Sequence, residues 1–285
     1  MLKADFRRPY GARALAVLCA GLLAAASAQA GDPAKDPAAA ADDSVVQVVG
    51  HGKINWSKKE VTATGSAAAD LKDASVARAR LMAERAAKMD AIRNILETIQ
   101  GIQVSGTRNA TDMMSNGEIK SRISGMAQGY KVIDTKYYSD GSVDVVISMP
   151  IDENLTNALV ERPKKLREVS TAGAAGFSGL LVNARGLGLT PSMAPRIVDE
   201  AGKDVYGTEV VSEKGLQQGG IVGYAKQDDQ AKERVGDKPL VVKALRLATK
   251  SKTDIVIANG DADKLRDPNS NLSFLADGKV VILVD

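Results

Sequence analysis

The chain has 285 residues, of which 44% are hydrophobic and 26% are charged, and its formal net charge is +3. Four of the basic side chains and one acid lie in the first thirty residues, so the rest of the chain carries equal numbers of bases and acids. That balance excludes the strong positive footprint of a nucleic-acid-binding protein, and the remaining length suits two modest domains.

Residues 1–30 have the pattern of a secretory signal peptide. Basic residues precede the short apolar run "ALAVLCAGLLAAA", and "AQA" at positions 28–30 supplies a small-x-small cleavage site. The run is too short to span a bilayer. We therefore expect an exported protein with no transmembrane span after cleavage; the alternative is an ordinary buried first helix.

Cys19 is the only cysteine. Bacterial lipoproteins lipidate a cysteine that follows a small residue, but Leu18 fills this position, so we expect no lipid. Cleavage after Ala30 removes the thiol and leaves a mature chain without disulfides. The following segment, residues 31–43, is poor in apolar residues, and we expect it to be a disordered tether.

Two alternating β-branched segments predict strands at Val45–Val49 and Glu60–Ser66. A long helix is predicted over residues 76–102, with Asp73 as its N-cap. On a helical wheel the large apolar side chains share one face, which we expect to point into the core: Leu81, Met82, Met89, Ile92, Leu96 and Ile99. Small side chains form a flank that permits close approach of a sheet or helix: Ala79, Ala83, Ala86 and Ala87. Acids mixed with the bases favour core packing over membrane-surface binding.

Residues 101–107 resume an extended pattern. Residues 112–129 are helix-like but contain Gly117 and Gly125, which predicts a mobile or partly helical insert. Residues 130–151 form two alternating runs around Asp140-Gly141, a pair that favours a tight hairpin turn. The order of strand, helix, strand, insert and hairpin predicts one sheet with a helix on one face, in a domain spanning residues 44–158.

The strand "VTATGSAAA", the helix "ARARLMAERAAKMDAIRNILETIQGI" and the hairpin "YKVIDTKYYSDGSVDVVISMPI" resemble the lipoprotein-twenty domain family of bacterial outer-membrane and flagella-associated proteins. This family includes FlgP and, more distantly, the N-terminal domain of FlgT. The resemblance covers about residues 61–151. It implies an exported, non-enzymatic domain that assembles in the periplasm or at the outer membrane, in some members around the flagellar rod.

Residues 159–176 are predicted to be a linker to a second domain at residues 177–285. Six segments of this domain are strand candidates: "GLLVNARG", "PRIVDEAGKDVYG", "GGIVGYA", "KPLVVKALRL", "TDIVIANG" and "DGKVVILVD". "EAGK" and "ADGK" predict turns, and residues 228–235 and 261–267 predict short helices. The fold class is therefore α+β: an N-terminal sheet with one long packed helix, then a strand-rich α+β C-terminal domain.

No catalytic, cofactor-binding or metal-binding residue is assigned from the sequence. His51 is the only histidine and has no neighbouring cysteine or histidine to share a metal. The Asn259–Asn271 segment is rich in oxygen ligands but lacks the glycine and glutamate of a calcium loop. "GFSGL" is not a nucleophile elbow and "GLQQGGIVG" is not a dinucleotide fingerprint. The acidic pairs Asp199–Glu200 and Asp228–Asp229 do not suggest a carboxylate dyad.

The leading functional hypothesis is an exported assembly or scaffolding protein of the periplasm or outer membrane, which forms homo-oligomers or binds an envelope protein partner. An association with flagella is one form of this hypothesis. The alternative is a periplasmic module that binds a small ligand or a glycan. Three Phe and one Trp offer few aromatic faces for stacking sugars. An enzyme is the least favoured class, since no catalytic motif is present, and no cofactor is expected.

Overall fold

The computed structural model describes residues 43–70, 72, 75–174 and 176–285. The expected signal peptide, Cys19, Asp73 and residues 31–42 of the expected tether lie outside these residues. The prediction of Asp73 as the N-cap of the long helix is wrong, because the side chain of Ser75 caps this helix by accepting a hydrogen bond from the Arg78 amide. The N-terminal part contains β1 (Val46–Val49), β2 (Gly52–Asn55), β3 (Glu60–Ala67), α1 (Val76–Gln100), β4 (Gln103–Ser105), β5 (Arg108–Asn109), α2 (Ala110–Met114), α3 (Gly117–Ala127), β6 (Lys131–Tyr137), β7 (Val143–Pro150) and α4 (Glu153–Leu159).

Five of these strands form an antiparallel sheet, the first sheet, in the order β1-β2-β3-β7-β6. The predicted strands at residues 45–49 and 60–66 correspond to β1 and β3, whereas β2 was not predicted. Along β3 and β7 buried and more exposed residues alternate, because one face packs on α1 and the other remains open. The predicted sheet with a long helix on one face is confirmed.

The orientation of α1 differs from the prediction. Ile92 and Ile99 are buried as expected and Leu96 is half-buried, but three large side chains predicted to face the core are exposed by 55–65%: Leu81, Met82 and Met89. Instead, the face that packs on the sheet is dominated in its first half by small side chains: Ala79, Ala83, Ala87 and Ala91.

The close approach of α1 to β3 explains this reversal. A Cβ atom on Gly65 of β3 would lie 2.1 Å from the backbone nitrogen of Ala91 and 2.2 Å from the carbonyl oxygen of Ala87. At such a separation there is no room for leucine or methionine between helix and sheet. Further along, Asn94 donates a hydrogen bond of 2.8 Å to the carbonyl of Thr64, which fixes the helix on the strand.

The segment after α1 is more regular than predicted. Asn109 and Asp112 form a capping box at the start of α2, and the side chain of Asn116 caps α3. Gly117 and Gly125 both lie within α3, and Ile123 is fully buried. The helical alternative of the prediction is confirmed, although the segment is more ordered into the fold than expected: two capped helices contribute side chains to the core.

The hairpin of β6 and β7 is confirmed. Tyr138 and Ser142 close the turn through a backbone hydrogen bond of 3.0 Å. Gly141 alone adopts a positive φ, +84°, so the turn uses the conformational freedom of the glycine and not that of Asp140.

The C-terminal part contains β8 (Leu180–Asn183), β9 (Ile197–Val198), β10 (Asp204–Tyr206), α5 (Glu213–Gly219), β11 (Gly223–Ala225), α6 (Asp228–Val235), β12 (Leu240–Leu247), β13 (Ile255–Ile257), α7 (Asn259–Lys264), α8 (Ser273–Ala276) and β14 (Val280–Leu283). The strands form a mixed second sheet in the order β10-β9-β13-β12-β8-β14-β11. All six predicted strand segments contain a strand, and α6 and α7 match the predicted helices; α5 and α8 were not predicted.

Both sheets contribute to one hydrophobic core. The backbone nitrogens of Met193 and Ala194 donate to the carbonyls of Gln103 and Val104 at 3.0 and 2.8 Å. Trp56 meets Tyr224 edge-on, with ring centroids 5.7 Å apart. Asp43–Asp285 form one compact unit that includes the predicted linker, and the division into two domains stays a prediction.

Candidate functional site

Strand β6 is an exposed edge of the first sheet. It pairs with β7 on one side, and no strand in the described part of the chain pairs with its other side. Six of its seven residues are exposed, among them Ile133, with 55% of its surface accessible. A register shift between Val132 and Asp134 leaves Ile133 without a partner on β7. An edge of this kind is a template for pairing with another strand.

The backbone of β6 presents free hydrogen-bonding groups along this edge. The amide of Tyr138 bonds to the carbonyl of Ser142 in the ladder with β7. Bonding directions alternate along an antiparallel strand, so the N–H and C=O groups of Thr135 and Tyr137 point away from β7.

Two opposite charges flank Thr135 on one face of the strand. Asp134 pairs in register with Val146 and Lys136 with Asp144, on the face of the sheet that α1 leaves open. The Lys136 Nζ atom lies 4.0 Å from the Asp134 carboxylate. The edge thus carries one acid and one base placed symmetrically about Thr135.

On the other face, Tyr137 links the edge to α1. Its hydroxyl donates a hydrogen bond of 2.9 Å to Glu84, and the Arg80 guanidinium lies 5.4 Å from its ring centroid. Glu84 also accepts a 2.6 Å hydrogen bond from Lys88. The hydrogen bonds from Lys88 and Tyr137 lower the pKa of Glu84, and the bond to Glu84 raises that of Tyr137. This network holds Tyr137 in place beside the open edge.

A cleft on another part of the surface lies between the turn after β2 and the α5–α6 region. Its volume is about 360 Å³, and the side chains that matter most for its chemistry are Ser57, Lys59, Gln218, Gln230, Glu233 and Arg234. The Lys59 Nζ atom is buried and, within the described part of the chain, has no hydrogen-bond partner. Burial and the charge of Arg234 lower the pKa of Lys59 to about 7.

The Arg234 side chain, in contrast, forms hydrogen bonds with the backbone around it. Its guanidinium donates to the carbonyls of Gly219, Gly220 and Gly278. It therefore ties the end of α5 to the turn before β14. Burial lowers the pKa of Arg234, but an arginine remains charged at any physiological pH.

The residues weighed in the sequence do not form a site. His51 is exposed in the turn between β1 and β2, and Asn259 begins α7, so the first part of the Asn259–Asn271 segment is helical. Among the described residues no group of three or more His, Cys, Asp or Glu side chains is placed to hold a metal ion. No helix in the same part of the chain is long and apolar enough to cross a membrane.

The two acidic pairs have structural roles. Asp199 forms a 2.7 Å ion pair with Arg266, and this hydrogen bond lowers the pKa of Asp199. Glu200 accepts a hydrogen bond from the Asn259 amide at 3.0 Å. Asp228 lies in the first turn of α6 and pairs with Arg185 at 2.8 Å. The contacts of Asp199, Glu200 and Asp228 are therefore structural.

Sequence analysis missed Lys59 as a candidate. Its backbone adopts a positive φ of +54°, which is uncommon for a residue other than glycine. The groups that surround its side chain belong to α5 and α6, more than 150 residues away in the sequence. Nothing in the local pattern "WSKKEV" distinguishes Lys59 from the exposed Lys58.

Comparison with known protein families gives one finding. Residues 179–285 match the family described as Treponema pallidum Tp0624, second domain. No curated protein matches the chain. The second sheet, from β8 to β14, is therefore similar to a domain of that family.

Proposed function

We propose that this protein is exported and acts as a non-enzymatic assembly or scaffolding protein of the cell envelope, in the periplasm or at the outer membrane. In this proposal it associates with a second copy of itself through the β6 edge. The observation that supports the proposal most strongly is the free edge itself, with its exposed apolar side chains and unpaired backbone groups. The resemblance of residues 61–151 to the lipoprotein-twenty family supports assembly in the envelope.

A second copy is the occupant that fits the charges of this edge. In an antiparallel pairing about a two-fold axis at Thr135, each Thr135 lies opposite its symmetry mate. Asp134 of one copy then lies opposite Lys136 of the other, twice per dimer. The outward N–H and C=O groups of Thr135 meet those of the symmetry mate in the same register. Pairing of opposite charges across strands favours this register.

Charge reversal followed by rescue tests the pairing. Asp134→Lys places lysines opposite each other at both symmetric positions, and we expect the dimer dissociation constant to rise about tenfold or more. The double variant Asp134→Lys/Lys136→Asp restores opposite charges and should restore the wild-type constant. Sedimentation equilibrium measures both. The Asp134–Lys136 pair within one chain is exposed and contributes little to folding, so thermal melts should remain similar.

Lys53→Asp is a matched control, because Lys53 is exposed on β2 of the same sheet, away from the edge. It changes the net charge but should leave the dissociation constant unchanged. A wild-type chain that remains monomeric at millimolar concentration would refute self-association. A dimer that the charge reversal does not weaken would refute this edge as its interface.

Export is tested separately by intact-mass analysis of the protein from its native cells. We expect a mature chain that begins at Gly31 and carries no lipid, in agreement with the "AQA" site and with Leu18 before Cys19. A diacylglyceryl or acyl adduct on Cys19, or a chain that retains residues 1–30 in the cytoplasm, contradicts this part of the proposal.

The second candidate function is that of a periplasmic module for a small ligand. One observation favours it: the cleft beside Lys59, with its buried amine lacking any hydrogen-bond partner. The two functions use different surfaces and are compatible in one molecule.

A further inference from the structure

We propose that the cleft beside Lys59 is a binding site for the phosphate or carboxylate group of a small anionic ligand, with the Lys59 amine as its principal ligand-binding group. The site is distinct from the β6 edge and does not depend on the proposed assembly function.

The backbone of Lys59 is held in place by the surrounding structure. Its carbonyl accepts a hydrogen bond of 2.7 Å from the Ile151 amide, and the Asn55 side chain accepts one of 2.9 Å from the Lys58 amide. A positive φ in a residue with a side chain is a strained backbone conformation. Glycine would avoid this strain, so the turn itself does not account for a lysine at this position.

The side chain points from this turn toward the end of α5. A Cβ atom placed on Gly220 would lie 3.4 Å from the Lys59 Nζ atom. A lysine with a purely structural role extends its amine to water or donates to carbonyl groups. The Lys59 amine does neither, although the backbone carbonyls of Gly219 and Gly220 nearby accept bonds from Arg234.

The electrostatic surroundings favour an anion. Arg234 is the largest charged influence on Lys59, and no acidic side chain acts strongly on it. Two buried cations repel each other, and a bound anion would relieve this repulsion. Lys59 lines the open cleft, and rotation about its terminal torsions moves the amine without disturbing the backbone.

The cleft also provides polar groups around the amine. The Ser57 hydroxyl lies at one wall and donates to the Tyr224 carbonyl at 3.0 Å, and the exposed Gln218 side chain lies at another. Glu233 is the one acidic residue in the lining. The volume of about 360 Å³ exceeds that of one phosphate group, so the cleft has room for a ligand with further atoms beside its anionic group.

Calorimetric titration of the full chain with inorganic phosphate and with citrate tests the site and separates the two anion classes. We expect saturable binding of at least one probe, about tenfold or more tighter at pH 6 than at pH 8.5, because Lys59 is charged below its pKa. Lys59→Met should abolish this binding. Glu233→Gln removes the negative charge from the lining and should tighten it.

Lys53→Met serves as the control, since it removes an exposed lysine from the neighbouring strand and should leave binding unchanged. If Lys59→Met does not fold, the ¹³Cε resonance of Lys59 in the wild-type chain provides a second readout, and its pKa should rise when the probe is added. The absence of saturable binding of both probes, binding unaffected by Lys59→Met, or a Lys59 pKa unmoved by the probe overturns the proposal.

Discussion

The two sheets of this molecule differ in how much of their surface is buried. In the first sheet, one face packs on α1, the other is open, and six of the seven residues of β6 are exposed. In the second sheet, β11, β13 and β14 are buried at every residue. The comparison shows that the first sheet retains an edge strand for association, whereas three strands of the second sheet lie wholly in the core. In the second sheet, β12 alternates buried and exposed residues, and β11 and β14 help to form the cleft.

The largest expected effect comes from a charge placed in the second sheet. Ile282 is fully buried in β14. Ile282→Asp buries an unpaired carboxylate, and we expect it to lower the free energy of unfolding by roughly 4 kcal/mol or more. Urea denaturation measures this change.

Thr64→Asp is the matched substitution in the first sheet. Thr64 lies in the middle of β3, with its side chain on the open face. We expect a loss of less than about 1 kcal/mol. Equal losses for Ile282→Asp and Thr64→Asp would contradict this comparison, because they would mean that the open face of the first sheet is buried.

The next effect concerns the contact between α1 and β3. Gly65→Ala places a methyl group against the backbone of Ala87 and Ala91, where no flexible side chain can give way. We expect a loss of about 1–3 kcal/mol, and more if the helix cannot shift. Met89→Asp, on the exposed face of the same helix, should cost less than about 1 kcal/mol. Thermal melts that rank these two substitutions in the opposite order would contradict the observed orientation of α1.

A smaller, pH-dependent effect comes from Lys59. Its pKa is about 7 in the folded chain and near its ordinary value when unfolded, so folding releases a proton between these two pH values. The wild-type free energy of unfolding should therefore rise from about pH 7 to about pH 10, and the full penalty of the buried charge is present below pH 7.

Lys59→Met removes this penalty. We expect the variant to be more stable than the wild type by on the order of 2 kcal/mol at pH 6, with the difference shrinking toward pH 10. Urea denaturation at several pH values measures the difference. A stability difference independent of pH would show that the Lys59 amine is hydrated in the folded chain.

Local sequence patterns predicted those secondary-structure elements that depend only on residues close together in the sequence. The β6–β7 hairpin follows from alternation around Asp140-Gly141, and α1 from an uninterrupted run of good helix formers. The face of α1 could not be obtained this way, because a helical wheel weighs the size of side chains and not the distance to the sheet. Two signals were available: the alanine flank of the helix, of which Ala79, Ala83 and Ala87 are buried, and Gly65 in β3, since a glycine inside a strand often marks close backbone approach.

The candidate sites depend on contacts distant in sequence. The exposure of β6 follows from its position at the end of the sheet order, which no pattern within residues 131–137 encodes. The environment of the Lys59 amine is formed by Arg234 in α6 and by Gly220 at the end of α5. Composition and periodicity therefore predicted the fold class and an open sheet with edge strands, but neither which strand forms the free edge nor the buried amine.

Hydrogen–deuterium exchange as a function of protein concentration tests the central claim that β6 is the association surface. The outward amides of Thr135 and Tyr137 should exchange rapidly in dilute protein and become protected at high concentration. The segment Val46–Val49, at the opposite edge of the same sheet, should exchange equally at both concentrations. Equal exchange of residues 131–137 in dilute and concentrated protein would contradict the account.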